Sequence, residues 1–529
     1  MQKVLRITRS VSRFKTAHLS EKLSYQLKKF CLEKKILGSG KVNVEQTFPV
    51  DFLPAYTQSF SIKGKKFSLL NRSKEFREEI NWNFKGFGPL WFTTLNSFEF
   101  LNYEAIDAGD GITAIHSFIQ NARINKTCFD SHCISHRIIN TIKFCSRFKI
   151  EDRAINDFIY HQCLYLKKNP EFHQRNHHLL DNGFALLFAS LYFRQYAFFD
   201  FAERLLLTNI PKQILPDGAH FQLSPMYHLC VLARMLDTYH LLGSSEYKSE
   251  RLVSRLRMLI PKMLGWIKQM QLTNGSLPGF NDSAENYGPG VRIVMRMASM
   301  LKTDATVVPL RESGFRKLKN RNFEMVIDVN GLSPSEAPGH SHADTFHFIL
   351  NVFGDPFIVD TGVSTYTKGK ERMYERSTMA HNTVSIDDLN QSEMLSTFRV
   401  GRMASVIQLN ELPNEIEATH DGYSHKGILH TRKVILKNDY IEIVDSVKSL
   451  RSKKKIACKA FLHIDKKSGL VQRDDQFVSR FTTIEFRNHH SVSLHEGWHS
   501  PAFGIKSPCY VISANFQNEF ITRIKVNKK

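Results

Sequence analysis

The sequence has no apolar run long enough to cross a bilayer. Its most apolar stretch, Phe184 to Phe199, is broken by Arg194, Gln195 and Tyr196 and falls short of the ~18–20 residues a membrane-spanning helix needs. No transmembrane segment is expected. The N-terminus, MQKVLRITRSVSRFKTAHLSEKLSYQLKKF, lacks the apolar core of ~7–15 residues that a secretion signal requires, and reads as an exposed basic amphipathic helix. Eight cysteines, at Cys31, Cys128, Cys133, Cys145, Cys163, Cys230, Cys458 and Cys509, show no regular spacing, which excludes a disulfide framework and suits a reducing compartment. Cys128, His132, Cys133 and His136 fit no standard zinc-finger spacing and read as thiols and imidazoles on a helix or loop. Acidic residues are in deficit: 72 Lys and Arg against 51 Asp and Glu leave a net charge of +21, which attracts polyanions at long range. The basic residues are spread along the chain, without a helix-turn-helix, paired-cysteine finger or RNA-recognition signature, so nucleic acid is not the expected partner.

What is present is enough apolar material for more than one core: 529 residues, 42% of them hydrophobic and 23% charged, the composition of a globular multidomain chain. From about Glu104 to Leu301 apolar residues recur every three or four positions, as in ALLFASLYFRQYAFFDFAERLLL and YHLCVLARMLDTYHLL. This spacing predicts successive amphipathic helices paired as αα-hairpins and closed into a solenoid or a toroid; no strict repeat favours the solenoid. After about Leu310 short β-rich runs such as FEMVIDV, FHFILNVF and YIEIVDSV alternate with Gly, Pro, Asn and Asp, predicting an antiparallel β-sandwich. The expected fold class is α+β multidomain. A basic helical segment over 1–75 leads into a helical domain over 76–310, and the sandwich occupies 311–529, joined near Thr303–Ser313. The site is expected where the two halves meet.

Polar groups concentrate in four otherwise apolar segments: Arg175-Asn176-His177-His178; Asp217-Gly218 with Ser224 to His228; Gly339 to Asp344; and Val359-Asp360 with Tyr366, Tyr374, Arg376 and His381-Asn382. Eliminating a glycosidic bond beside a uronate needs a base for the C5 proton, a group that quenches the carboxylate, and an acid for the leaving oxygen at C4. Asn, His, Arg and Tyr serve these tasks. A Tyr held near cationic or donor groups has its phenolate stabilised and can act as base and then acid. Read as a strand, His340-Ser341-His342 puts both imidazoles on one face. With Asp360 and His381 this gives a two-His, one-carboxylate set for a zinc-like ion, leaving His340 for catalysis; a polar turn with satisfied histidines fits the spacing equally well. Asn176 also fits a helix N-cap, Tyr227 a core tyrosine, and Ser224-Pro225 a helix start.

The runs RNHHLLDNGFALLFASLYF, LPDGAHFQLSPMYHLCVL, GHSHADTFHFILNVFGDPFIVDTGVSTY and RSTMAHNTVSIDDLNQSE, with INWNFKGFGPLWFTTLNSFEFL upstream, resemble the heparinase II/III-like proteins from about Ile80 to Ser392. The resemblance implies an incomplete α/α toroid followed by a β-sandwich, and a polysaccharide lyase acting by β-elimination on an acidic, uronate-containing polysaccharide. It implies that Asn176 and His177 neutralise the carboxylate, that Tyr227 is the acid and also a candidate base, and that His340 assists as base. His342, Asp360 and His381 would hold a structural divalent ion, zinc by donor type; His178, Tyr366, Tyr374 and Arg376 would contact substrate. Relatives often read Gly-Asn-His-Leu-Leu where this chain has Asn-His-His-Leu-Leu, so the functional pair is either Asn176-His177 or His177-His178. Relatives without a secretion signal resemble products of bacterial surface-polysaccharide gene clusters. A cytoplasmic placement is the default expectation, the periplasm the alternative, and a non-catalytic polysaccharide-binding or assembly protein the competing function.

Overall fold

The computed structural model describes residues 16–36, 44, 46–57, 59–124, 128–450, 456–474 and 476–527. The first fifteen residues of the expected basic helix lie outside the described residues. The remainder forms the helix Thr16–Ile36, docked on the body through Lys29 to Asp130 (2.5 Å) and Arg175 to Glu21 (3.0 Å). The segment to residue 75 is not helical throughout. Strands Ser61–Lys63, Lys66–Leu69 and Arg72–Glu75 form an antiparallel meander. Its second turn is made by Leu70 and Asn71, both with left-handed backbone, a two-residue hairpin geometry that matches strand twist. Phe67 and Leu69 alternate inward and join the helical core, which is why a stretch without helical periodicity still belongs to that half.

Helices Pro89–Asn96, Ala108–Ile124, Ser131–Phe148, Arg153–Lys168, His177–Tyr192, Tyr196–Gln213, Pro225–Ser244, Glu250–Met270 and Val291–Met300 follow in series. Helices one or two apart in sequence pack together around one large apolar core, the incomplete α/α toroid that the resemblance anticipated and one of the two closures that the periodicity allowed. Among the described residues no helix is long and apolar enough to cross a membrane.

The antiparallel sheet begins at Phe315. Among the described residues fourteen strands form one continuous hydrogen-bonded network, curled around a second core that includes Phe348, Val434, Ile443, Ile464 and Ile524. The strand Ile428–Leu436 alternates strictly between buried and half-buried positions, as expected for one face on a core and one towards water. Phe323–Asp328 is buried at every position because it serves both cores. Met325 and Ile327 enter the sandwich, whereas Val326, paired with Ile349 of the next strand, enters the helical core. The joining segment is also fastened. Buried Asp217 accepts the backbone N–H groups of Arg311 (3.2 Å) and Ser313 (2.8 Å), so this candidate from the sequence is a structural clasp. Next to it Gly218 has φ 92, and an added Cβ would lie 2.2 Å from the Lys262 carbonyl oxygen; no other residue fits there.

Candidate active site

Three left-handed residues set up the site. Arg175 (φ 49), Leu223 (φ 53) and Asn281 (φ 56) immediately precede Asn176, Ser224 and Asp282. Such conformations cost ~1–2 kcal/mol each outside glycine and concentrate where a side chain must be aimed. Asn176 caps the helix His177–Tyr192 by accepting the His178 N–H on Oδ1 (3.0 Å). Ser224 caps Pro225–Ser244 in the same manner and donates its hydroxyl to the Asp282 carbonyl (2.7 Å). His177 and Tyr227 therefore stand in the first turns of neighbouring helices.

Their rings meet. The Tyr227 ring stacks on His177 at 4.3 Å and lies 4.5 Å from His340, and its hydroxyl is 3.0 Å from that of Tyr366. A cleft of about 770 Å³ between the two halves is lined by Asn176, His177, His178, Tyr227, His340 and Tyr366 among others. Six of the residues expected from sequence thus converge, drawn from both domains.

His340 does not lie in a strand. Pro338–His340 is one turn of 3-10 helix with Pro338 at its start, so period-two alternation does not apply. A shared acid brings the two imidazoles together instead. Asp282 accepts His340 Nδ1 (2.8 Å) on one oxygen and His342 Nε2 (2.9 Å) on the other, and is gripped by both terminal nitrogens of Arg372 (2.5 and 2.7 Å). Asp282 and Arg372 were missed in the sequence. The signal available was a polar Asn281-Asp282-Ser283 set directly after buried Phe280, and nothing in it names the partners. Burial opposes ionisation of Asp282, but Arg372 and the two histidines outweigh it and hold the carboxyl well below its usual range. Donating Nδ1–H to that carboxylate leaves the His340 lone pair on Nε2, and burial lowers the affinity of this imidazole for a proton, so it is neutral. His177 is likewise neutral because burial and the adjacent His178 lower it well below its usual value, and its Nδ1 meets Gln222 Oε1 at 2.6 Å.

The expectation that neighbours stabilise a Tyr227 phenolate is corrected. Burial, with Asp282 adding to it, pushes the phenol above its ordinary range, so Tyr227 holds its proton. Two expected substrate contacts also fall elsewhere. Arg376 is wholly buried, and its guanidinium donates to the backbone carbonyls of Pro338, Ser341, Ser396 and Thr397, so it clamps the loop that carries His340. Tyr374 is half-buried beside Trp498 and does not line the cleft.

Near the expected ion site, the nitrogens of His347 and His381 and a carboxylate oxygen of Asp360 lie within 4.8 Å of one another. The tautomers separate the ligands from their supports. His347 Nδ1 accepts the Asn382 N–H (3.0 Å), so its Nε2 carries the hydrogen; it lies 3.4 Å from Asp360 without forming a hydrogen bond. His342 donates Nε2–H to Asp282 and keeps a lone pair on Nδ1, which is buried without a partner, as is His381 Nε2. The two histidine nitrogens, buried and lacking hydrogen bonds, fit a divalent ion, while Asp360 already accepts from His381 Nδ1 (2.7 Å) and the Gly362 N–H (3.0 Å). In the helical half, His132 and His136 do lie on a helix, Ser131–Phe148. Cys133 turns away from them towards Ser97 and Arg137.

Comparison with known proteins agrees with this architecture. The family profile described as heparinase II/III N-terminus matches residues 121–303, and that described as heparinase II/III-like, C-terminal, matches residues 302–526. The heparin-sulfate lyase of Pedobacter heparinus is 24% identical over 267 residues, 46% of this chain and 39% of that protein. FtsZ-localized protein C of Caulobacter vibrioides is also 24% identical, over 45% of this chain and 42% of that protein. The matched region is thus about four-tenths of either relative's length. The crystal structure of heparinase III superposes with a TM-score of 0.70 at 16% identity, covering 85% of this chain and 80% of that one; it shares the fold. Helical domain, sandwich and the two adjoining profiles agree: the chain belongs to the heparinase II/III-like family.

Proposed function

We propose that the chain is a polysaccharide lyase that cleaves an acidic, uronate-containing polysaccharide by β-elimination, leaving a C4=C5 unsaturated uronate end. The observation that carries this is the pairing, in one cleft, of a neutral imidazole base with a protonated phenol whose rings lie 4.5 Å apart. His340 Nε2 removes the C5 proton, with Asp282 fixing its tautomer and stabilising the imidazolium that forms, as carboxylates do behind catalytic histidines. Tyr227 protonates O4 as the C4–O4 bond breaks, and the adjacent rings then re-equilibrate the proton. Asn176 supplies an amide donor to the substrate carboxylate. His177 gains proton affinity when that charge arrives, and its Nε2 becomes a second, charged donor; His178 and Tyr366 line the same cleft.

His342, Asp360 and His381 would hold a divalent ion, zinc by their donor set, whose contribution is to tie the His340 loop to the sandwich. The excess of positive charge favours polyanions, and the heparin-sulfate lyase relatives support a substrate of the glycosaminoglycan kind. Incubation with a panel of uronate polysaccharides tests the proposal. Elimination raises near-ultraviolet absorbance in step with new chain ends. New reducing ends without absorbance make the protein a hydrolase, and binding without new ends makes it a carbohydrate-binding or assembly protein.

A further inference from the structure

A second group of ligating side chains lies in the helical half. His132 and His136 are one turn apart on Ser131–Phe148, a spacing that puts both imidazoles on one face, and that face meets Asp181 of His177–Tyr192. One oxygen, Asp181 Oδ2, is 3.4 Å from His132 Nδ1 and accepts a long hydrogen bond from His136 Nε2 at 3.3 Å. A charge-assisted hydrogen bond between such groups runs at ~2.7–2.9 Å, and His136 Nδ1 makes one to Glu99 Oε1 at 2.6 Å. By contrast, ~3.3–3.4 Å is the edge of a tetrahedron whose ligands stand ~2.0–2.1 Å from a central zinc ion. His132 Nδ1 is buried and has no hydrogen-bond partner.

We propose that His132, His136 and Asp181 form a second divalent-metal site of zinc type, with Glu99 orienting His136 from behind. The donor chemistry is two imidazoles and one carboxylate, with a carboxylate–histidine contact behind the ion, the arrangement that second-sphere groups give histidine ligands. Three protein ligands leave a fourth position open. His132 lines both the cleft and the chamber of about 90 Å³ behind it, which His136 and Asp181 also line, so the ion sits in the wall between the two. His132 stacks on His178 at 3.8 Å and lies 5.7 Å from His177, which places the positive charge beside the residues assigned to the substrate carboxylate. That last consequence rests on the lyase reading; the binding of the ion does not. The competitor for the position is a proton on His136: burial opposes it, but Asp181 and Glu99 raise that imidazole to about 10, giving an imidazolium held between two carboxylates.

The test strips the full-length chain with a chelator and titrates it with Co2+ and then Zn2+. Stoichiometry is read by calorimetry, and tetrahedral Co2+ by its visible absorption. The wild type should take up two equivalents and Asp360→Asn one. His132→Phe, which keeps the stacking ring and loses no hydrogen bond, should also take up one. In the Asp360→Asn background, Glu99→Gln should weaken the remaining site ~10–100-fold, the usual effect of a lost second-sphere partner. Should Asp360→Asn not fold, the difference between wild type and His132→Phe decides. Equal stoichiometry and affinity in those two proteins overturn the proposal and leave the proton-bridged imidazolium in place; the result is independent of whether any polysaccharide is cleaved.

Discussion

Replacing Tyr227 with Phe separates chemistry from packing. The ring, held against His177 at 4.3 Å and His340 at 4.5 Å, is retained, and the loss is one oxygen whose recorded partner is the Tyr366 hydroxyl at 3.0 Å. Removing that contact and leaving the Tyr366 hydroxyl buried costs ~1–3 kcal/mol, and at ~2–4 °C per kcal/mol for large domains the melting temperature falls by less than ~12 °C. Removing the proton donor from the elimination costs ~10²–10⁴ in rate, that is ~3–5 kcal/mol in the barrier. Initial rates followed by near-ultraviolet absorbance, beside a thermal melt, measure both. Tyr366→Phe is the control: it deletes the same hydrogen bond from the other side, so it should match the stability loss and raise KM while leaving kcat within ~10-fold, a hydrogen bond being worth ~1 kcal/mol. A folded Tyr227→Phe protein that keeps its kcat would refute the acid assignment and return Tyr227 to the core.

Asp282→Asn leaves the Arg372 guanidinium, fully buried, without its carboxylate; breaking such a pair costs ~3–5 kcal/mol, so its melting temperature should fall further than that of Tyr227→Phe, and an unchanged melt would remove Asp282 as the hub of the site. In the sandwich, Asp445 meets His430 and Arg432, each at 2.8 Å; burial opposes ionisation, but these partners bring its carboxyl down to about 2. Because the folded value lies below the unfolded ~3.9, its stabilisation of about 2 kcal/mol is present above that value and is lost as pH falls through about 2. Acid titration should therefore show a steeper loss of wild-type stability between roughly pH 4 and 2 than Asp445→Asn shows; parallel curves would contradict the assignment. Chelator treatment should lower the melting temperature of the wild type, and Asp360→Asn should show the lower value without chelator, whereas a wild type indifferent to chelator would argue against an ion at His342, Asp360 and His381.

The parts of this molecule legible in its sequence are those set by local rules. Apolar spacing gave the helices, alternation gave strands such as Ile428–Leu436, and Ser224-Pro225 marked a helix start that the structure reproduces. The meander Ser61–Glu75 escaped because its strands are three or four residues long, too short for a period to register. His340 and His342 stand together, though not through strand alternation: what joins them is Asp282, fifty-eight and sixty residues upstream, and a contact at that range leaves no trace in local spacing. Arg376 was expected to contact substrate; its actual partners are backbone carbonyls, which every residue supplies and no residue type signals. His132 and His136 were weighed only with the cysteines between and beside them; their one-turn spacing on a helix, opposite an acid on the next, was the informative pattern.

The strand Phe323–Asp328 and its neighbour, Phe348–Val352, have a consequence for motion. Val326 and Ile349 pair across these two strands and enter the helical core, while Met325, Ile327, Phe348 and Leu350 enter the sandwich. Swinging one half of the molecule away from the other would draw buried side chains into water at ~1.5–3 kcal/mol each, a barrier against the hinge opening that joins many two-domain proteins to their ligands. Tyr227 and His340 stand on opposite sides of this shared seam. Their separation is therefore fixed before any ligand arrives.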